Sequence, residues 1–320
     1  MKAVVTGAAG VLGSSLCELL VKRGYRVVAV DIVRVEEAWR LRDVIDRVEY
    51  VWKSEVDITA DDIRGASVVF DCAIGFPDRP FGTSSPRHTL IGNLLPPLSL
   101  LEATRYLGEK PVLIYPSSFN AVYGYKHITE GCMPNPTSLY GATKGCAELL
   151  YLAYHRAYSI PVVVTRVGSA FGPKGRSDEL PHKLIIYALK NRGFYLKSPR
   201  AKRLWCYSRD VLRFYEKLLD FIEKEPRIVV GRILHCAGNK GDRVVTNLEL
   251  AEIVKKLTGS TMKIIEGEYE PGELVNGEPV SFTFDSSYTR KLLNWEPAYT
   301  LEEGLRETIE WFKKNLHYYA

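Results

Sequence analysis

The sequence contains no glutamine, only three methionines and six cysteines in 320 residues. With Lys, Arg and Glu plentiful, the missing amide is the bias expected of a thermophile, a statement about source and not about activity. Cys17, Cys72, Cys132, Cys146, Cys206 and Cys236 form no Cys-x-x-Cys and no paired Cys/His spacing. A zinc site, or any other metal centre built on thiols, is therefore not expected, and reduced thiols in a cytoplasmic protein are. No apolar run approaches the roughly 18 residues of a membrane span, and the chain enters a strand at once, without a signal or transit pattern. An excess of one charge is also lacking. The 43 basic and 38 acidic residues leave a net +5 that is dispersed along the chain. That balance argues against nucleic acid as a partner and suits a small anionic molecule. Internal repeats and low-complexity segments are absent.

What is present is an apolar fraction of 46% in a chain longer than one ordinary domain. A large domain with a smaller appended lobe follows. The chain opens on Lys2-Ala3-Val4-Val5-Thr6-Gly7-Ala8-Ala9-Gly10-Val11-Leu12-Gly13, a buried strand that breaks into three glycines before an amphipathic helix from Ser14 to a stop at Gly24. Gly7 permits the tight turn, Gly10 lets backbone approach a pyrophosphate and Gly13 lets helix pack on strand. Gly7, Ala9, Gly10, Val11, Leu12 and Gly13 are thus the expected contacts of a dinucleotide, whose phosphates the helix N-terminus favours. The next strand, Tyr25 to Val30, ends in Asp31, placed to accept hydrogen bonds from the adenosine ribose. A carboxylate there repels a 2′-phosphate, so NAD is expected over NADP. Arg34, three residues on, is the group that could pair with such a phosphate.

A charged helix is expected from Val35 to Val44, then a strand Val48 to Trp52. Asp57 and Ile58 follow, where the adenine would lie in a doubly wound sheet. Val68 to Gly75 reads as an apolar strand ending in small residues, Pro77 to Pro86 as a loop, His88 as a surface histidine, and Asn93 to Tyr106 as a helix. The strand Pro111 to Pro116 delivers Ser117 and Ser118 to the carboxyl edge. A helix then carries Tyr140 and Lys144, and Ile160 to Gly168 is another buried strand. Tyr140 and Lys144 are four apart and share a helix face. An ammonium beside a phenol stabilises phenolate and allows proton exchange near neutral pH. Beyond Lys174 the strand–helix alternation loosens, with short elements expected near Val211, Ile233, Leu248 and Val280.

In their order these fragments resemble the extended short-chain dehydrogenase/reductase superfamily, within it the NAD-dependent epimerase/dehydratase group acting on nucleotide sugars. The resemblance spans nearly the whole chain. It rests on the glycine turn, Asp31, Asp57-Ile58, Asn93 before Leu100-Leu101-Glu102-Ala103, and Ser117-Ser118 before Val122-Tyr123-Gly124. Thr129-Glu130, Tyr140-x-x-x-Lys144, Gly172-Pro173, Arg203 seven residues before Asp210-Val211, and Asn294-Trp295-Glu296-Pro297 continue it. The fold it implies is α/β, a doubly wound parallel Rossmann sheet over residues 1–173 to which about 205–247 returns. A smaller α+β substrate lobe takes most of 174–320. Tyr140 is then the acid/base, and Lys144 binds the nicotinamide ribose. Asn93 and Ala73 lie by the cofactor, Val167 offers its backbone to the carboxamide, and Arg203 pairs with a substrate diphosphate or is a solvated charge. A homodimer through the helices at Asn93–Tyr106 and Tyr140–Tyr158 is also implied.

Three positions depart from the family. Counted back from Tyr123-Gly124, the serine that bonds the reacting hydroxyl falls on Phe119, one residue after Ser118. Either a bulge re-aims Ser118, or Asn120 or water substitutes, or the reacting group differs. Ser169 stands where many sugar epimerases have an asparagine on the phosphates. Pro96-Pro97 replaces Gly-Thr and is expected to perturb only the start of its helix. Three functions stay open: an NAD-dependent nucleotide-sugar epimerase or dehydratase, most simply a UDP-sugar 4-epimerase; an NAD-dependent dehydrogenase of a small hydroxy acid or amino alcohol; and a non-catalytic NAD-binding scaffold or redox sensor.

Overall fold

The computed structural model describes residues 1–75, 85–269 and 282–319, and the backbone of 274–275 and 278–279. The loop expected from Pro77 and the element expected near Val280 fall outside these residues, except for Ser85 and Pro86.

The chain runs β1 (Lys2–Thr6), α1 (Val11–Lys22), β2 (Arg26–Asp31), β3 (Val48–Trp52), α2 (Ala60–Ile63), β4 (Ala66–Asp71), α3 (Pro86–Arg105) and β5 (Val112–Ser118). It continues β6 (His127–Ile128), α4 (Leu139–Tyr158), β7 (Val162–Val167), β8 (Ser169–Phe171), α5 (Leu180–Leu189), β9 (Phe194–Leu196), β10 (Lys202–Tyr207), α6 (Ser208–Lys224) and β11 (Arg232–Cys236). Last come β12 (Val244–Thr246), α7 (Asn247–Thr258), β13 (Ile264–Glu266), β14 (Leu274–Val275), β15 (Glu278–Pro279), β16 (Thr283–Phe284), α8 (Ser287–Leu293) and α9 (Leu301–Asn315).

Seven parallel strands form one sheet in the order β11-β7-β5-β4-β1-β2-β3. The order reverses between β1 and β4, which opens a crevice at their carboxyl ends. Alternation of side chains sorts each strand between two layers. Val5, Ala29, Phe70, Ile114, Val163 and Leu234 pack on one side with Leu16 of α1 and Phe214 of α6. Val4, Val28, Val69, Tyr115, Val162 and Val164 pack on the other with Leu100 of α3 and Ala147 and Tyr151 of α4. A separate core joins Leu184 of α5, Trp205 of β10, Leu250 of α7 and Leu305 of α9. There β8, β10 and β12 form a small mixed sheet. No helix among the described residues is long and apolar enough to cross a membrane.

Three elements differ from expectation. In place of a helix over Val35–Val44 there are 3₁₀ turns at Val35–Glu37, Trp39–Leu41 and Ile45–Arg47. The buried residues Ala38, Leu41 and Val44 recur every third position, which is the period of a 3₁₀ turn and not of an α-helix. Helix α3 starts at Pro86, so Pro96 and Pro97 lie mid-helix and not at its beginning. A proline at 96 leaves the Gly92 carbonyl without its helical donor, and Gly75 N–H takes that carbonyl at 3.1 Å. The segment at Val211 is no short element but the 17-residue α6, and Ile233 lies in β11 at the sheet edge.

Candidate active site

The glycine turn is built for close approach. Gly7 has φ +60°, and a Cβ on it would sit 2.5 Å from the Cys72 carbonyl, while one on Gly13 would sit 2.2 Å from Gly7 O. Gly10 is the N-cap of α1, and no side chain caps that end, so its first N–H groups remain available to an anion. Asp31 braces the turn: its Oδ2 accepts Ala9 N–H at 2.8 Å and its Oδ1 accepts Val33 N–H at 2.9 Å. Each oxygen keeps a lone pair for a further donor. Beside it, Ile32, Trp52, Lys53, Ser54 and Asp57 line a cavity of about 360 Å³. The guanidinium of Arg34 lies over the Trp52 ring at 4.8 Å. Asp57 is exposed at this cavity, whereas the Ile58 side chain is buried with Val4, Val28 and Leu100. Ile58, expected beside the adenine, thus turns its side chain into the core, and its N–H is donated to the Glu55 carbonyl at 3.1 Å.

Across the crevice, Asn93 is buried and ties two elements together. Its Oδ1 accepts Gly75 N–H at 2.9 Å and its Nδ2 donates to Thr143 Oγ1 at 3.1 Å. Thr143 in turn donates to the Tyr140 carbonyl at 2.8 Å. Asn93 thus fixes both the segment after Ala73 and the first turn of α4. Tyr140 is half-buried, and its phenol is felt electrostatically by Tyr115 and Arg176. Lys144 is buried; its Nζ donates to the Pro116 carbonyl at 2.9 Å and lies 4.6 Å from the Tyr115 ring centroid. Burial pulls its pKa down, opposed first by Asp71.

Ser118 ends β5 opposite Val167. Its Oγ accepts both Asn120 N–H at 3.2 Å and Asn120 Nδ2 at 3.1 Å, which leaves its own proton to donate outward. Directly after it, Phe119–Val122 forms a 3₁₀ turn. Counting back from Gly124 therefore crosses that turn before it reaches the strand. Phe119, expected among the substrate contacts, instead is 2% exposed, with its ring edge-on to His235 at 4.8 Å and against Phe284. The turn after β5 carries it into the core. Ser169 opens β8, its Oγ 3.5 Å from the Tyr123 hydroxyl. Arg203 in β10 is 8% exposed with its guanidinium 5.5 Å from the same Tyr123 ring. Arg203, Tyr123 and Ser169 therefore meet, and the solvated reading of Arg203 is ruled out by its burial. Val167 and Ala73 are half-buried at the ends of β7 and β4. His88 is an exposed residue of α3.

The profile of the NAD dependent epimerase/dehydratase family matches residues 3–231. The chain belongs to that family.

Among relatives with this family's chemistry, a UDP-glucuronate 4-epimerase of Thermodesulfobacterium geofontis is 28% identical over 330 residues, covering 98% of this chain and 96% of its own. A dTDP-glucose 4,6-dehydratase of Neisseria gonorrhoeae is 25% identical over 98% of this chain and 95% of its own. The crystal structure of UDP-glucuronic acid 4-epimerase from Bacillus cereus, in complex with UDP-glucuronic acid and NAD, superposes with a TM-score of 0.87. It is 25% identical, over 98% of this chain and all of that one. This epimerase/dehydratase family member is thus an enzyme whose cofactor is NAD. The tight glycine turn, where a Cβ on Gly7 or Gly13 would strike neighbouring backbone, and the uncapped start of α1 fit its pyrophosphate.

Sequence reading missed a set of buried polar groups behind Lys144. Glu148 of α4 forms a fully buried pair with Arg166 of β7 at 2.8 Å and accepts Ser117 Oγ at 2.5 Å. Tyr151 donates to Asp71 Oδ2 at 2.5 Å, and Glu55 is buried beside them. The available signal was a single acid, Asp71, inside the run Val68–Gly75.

Proposed function

We propose that this enzyme acts on a nucleotide-activated sugar, and that 4-epimerisation of a UDP-sugar is its reaction. The observation that carries this is the joint placement of Ser118, Tyr140 and Lys144 at the carboxyl edge of the sheet, with the buried Arg203 on the lobe beyond. The 98% coverage by a UDP-glucuronate 4-epimerase supports it. When bound, NAD supplies reversible hydride exchange with the sugar carbon. The glycine turn and Asp31 hold its pyrophosphate and adenosine ribose, Asp57 borders the adenine, and Asn93, Ala73, Lys144 and Val167 surround the nicotinamide end. Tyr140 Oη removes and returns the hydroxyl proton, Ser118 Oγ donates to the same oxygen, and Lys144 favours the phenolate by its charge. Arg203 offers a planar fork to the diphosphate, with Ser169 and Asn120 at the same site.

Incubation with NAD and a panel of UDP-, GDP- and dTDP-sugars tests the reading. Expected is an epimer of one UDP-sugar with no net rise in NADH absorbance. NADH accumulation with a small hydroxy acid or amino alcohol, and no sugar product, would establish the dehydrogenase instead. That alternative drew on Phe119 and Ser169, and Phe119 is now buried away from the site. The intact Tyr140 and Lys144 weigh against a scaffold.

We further infer a homodimer through α3 and α4. Leu90, Ile91 and Leu95 of α3 and Leu149 of α4 are 40%, 43%, 41% and 44% exposed, an apolar face suited to a four-helix contact. Light scattering should show a dimer that Leu149→Glu converts to monomer. The six free thiols agree with a reducing, cytoplasmic location. The thermophile reading, resting on composition, is checked by a melting temperature above about 90 °C.

A further inference from the structure

Behind the acid/base pair, five ionisable side chains are shut away from water: Glu55, Asp71, Lys144, Glu148 and Arg166. Glu148 and Arg166 satisfy each other through contacts of 2.8 to 3.2 Å. That leaves one cation, Lys144, with two acids. Lys144 faces Asp71 and Cys72 at the end of β4, Glu55 from the 3₁₀ turn before α2, and Glu148 one turn further along α4. Tyr115 of β5 lies against it, and the Tyr115 ring stacks on Tyr151 with centroids 4.8 Å apart. Tyr151 in turn donates to Asp71.

The two acids differ in their partners. Asp71 Oδ2 has the Tyr151 hydroxyl, while Asp71 Oδ1 and both oxygens of Glu55 have no bonded donor from the described residues. The two carboxyls face each other, with Thr6 beside Glu55. One proton between them would satisfy an oxygen on each and leave the acid pair with a single negative charge for Lys144 to balance, where two bare carboxylates would be strongly disfavoured. Burial first, then the charge of Asp71, pushes Glu55 well above the carboxylate range. For Asp71 burial also wins and leaves its pKa raised, but the Tyr151 hydroxyl and Lys144 oppose that rise. The proton therefore resides on Glu55 and the charge on Asp71.

We propose that Asp71 is the buried counter-ion of Lys144, with Glu55 holding the one shared proton, and that this acid pair positions the positive charge on which Tyr140 depends. The inference rests on the reading of Tyr140 and Lys144 as the acid/base pair. Asp71 touches neither substrate nor cofactor and acts through Lys144. Without it, a desolvated ammonium has no compensating charge and gives up its proton. In a single Asp71→Asn variant, Glu55 loses its like-charged neighbour and can ionise in its place. Both acids must be neutralised to expose the effect.

The test is titration of the Tyr140 phenolate by its absorbance near 295 nm in NAD-loaded protein, the signal of the same variant carrying Tyr140→Phe being subtracted from that of each variant. Glu55→Gln alone should titrate as the parent. Glu55→Gln with Asp71→Asn should lower the phenolate signal at fixed pH about tenfold. An unchanged or increased signal in the double variant overturns the proposal, as does an equal fall in Glu55→Gln alone. A purely structural role would not move this titration. A thermal cycle gives a second reading if the double variant does not fold. In the Glu55→Gln background, Asp71→Asn should raise the melting temperature of protein that also carries Lys144→Met, while lowering or abolishing the transition of protein that keeps Lys144, and additive effects would refute the coupling. Neither measurement needs a substrate. A protein that shows both effects yet converts no nucleotide sugar keeps the counter-ion and loses the substrate reading.

Discussion

The two faces of the large sheet are covered alike by a helix pair and yet are made of different material. The α1/α6 face is apolar from Ala3 and Leu16 to Phe214 and Trp295, and its buried acid, Asp210, sits in the first turn of α6 and is paired with Arg213 at 2.8 Å. The α3/α4 face is apolar near the strand beginnings, but towards the carboxyl ends it takes in Thr6, Asp71, Tyr115, Ser117 and Arg166. Alternation along β1, β4, β5 and β7 sends these residues to one side. One face holds the sheet together. The other holds charge in a dry place, which is costly unless each group is paired. The sheet thus separates stability from chemistry by the parity of residue positions.

The sharpest break of this comparison is Tyr140→Phe. Turnover should fall about 10²- to 10⁴-fold, with NAD retention and melting temperature unchanged. Next in size is a matched pair of core changes. Arg166→Met should cost about 3–5 kcal/mol in urea unfolding because Glu148 is left charged and alone. Adding Glu148→Leu should recover most of that loss. Phe214→Ala on the opposite face should cost a similar 3–5 kcal/mol or so through a cavity, and should do so equally at pH 5 and pH 8. Rescue by a charge change is expected on one face only.

Smaller is Ser117→Ala, which removes one hydrogen bond to buried Glu148 and should cost about 1.5–3 kcal/mol. The smallest effects per step are slopes with pH. Burial, then Arg166, lowers the pKa of His235 to about 3. Its stabilisation is complete above the unfolded value near 6.5 and is lost as pH falls towards 3, by up to about 1.4 kcal/mol per unit. His235→Leu should flatten that acid limb in unfolding titrations. Glu55 acts with the opposite sign. Its raised pKa favours the fold at acid pH, and this contribution is lost as pH rises through and above the carboxylate range. Glu55→Gln should therefore gain on the parent as pH increases.

Much of this was legible in the letters. The glycine turn, Asp31 and the Tyr140/Lys144 spacing are local patterns, and a parallel sheet shows itself as apolar runs between helices. The failures have a common physical cause: a neighbour distant in sequence decides the outcome. Asp71 reads as one letter in an apolar strand until Tyr151, 80 positions away, is seen to bond it. Pro96 looks like a helix breaker until Gly75 is found on the Gly92 carbonyl. Phe119, counted to the serine position, is carried by the turn after β5 into the core against His235 and Phe284. Of the site, the cofactor cradle was readable, while the buried acids behind Lys144 were not.

The chain's last residues close on its first layer. Trp39 stacks on Tyr318 at 4.6 Å and lies against Trp311, and the Tyr319 hydroxyl bonds the Gly175 carbonyl at 2.7 Å. Trp295 fills the core against Phe214. During synthesis, at about 5–20 residues per second, Trp39 waits for partners near position 318. The N-terminal layer is therefore completed only after the segment around Tyr318 has emerged and can cover this indole.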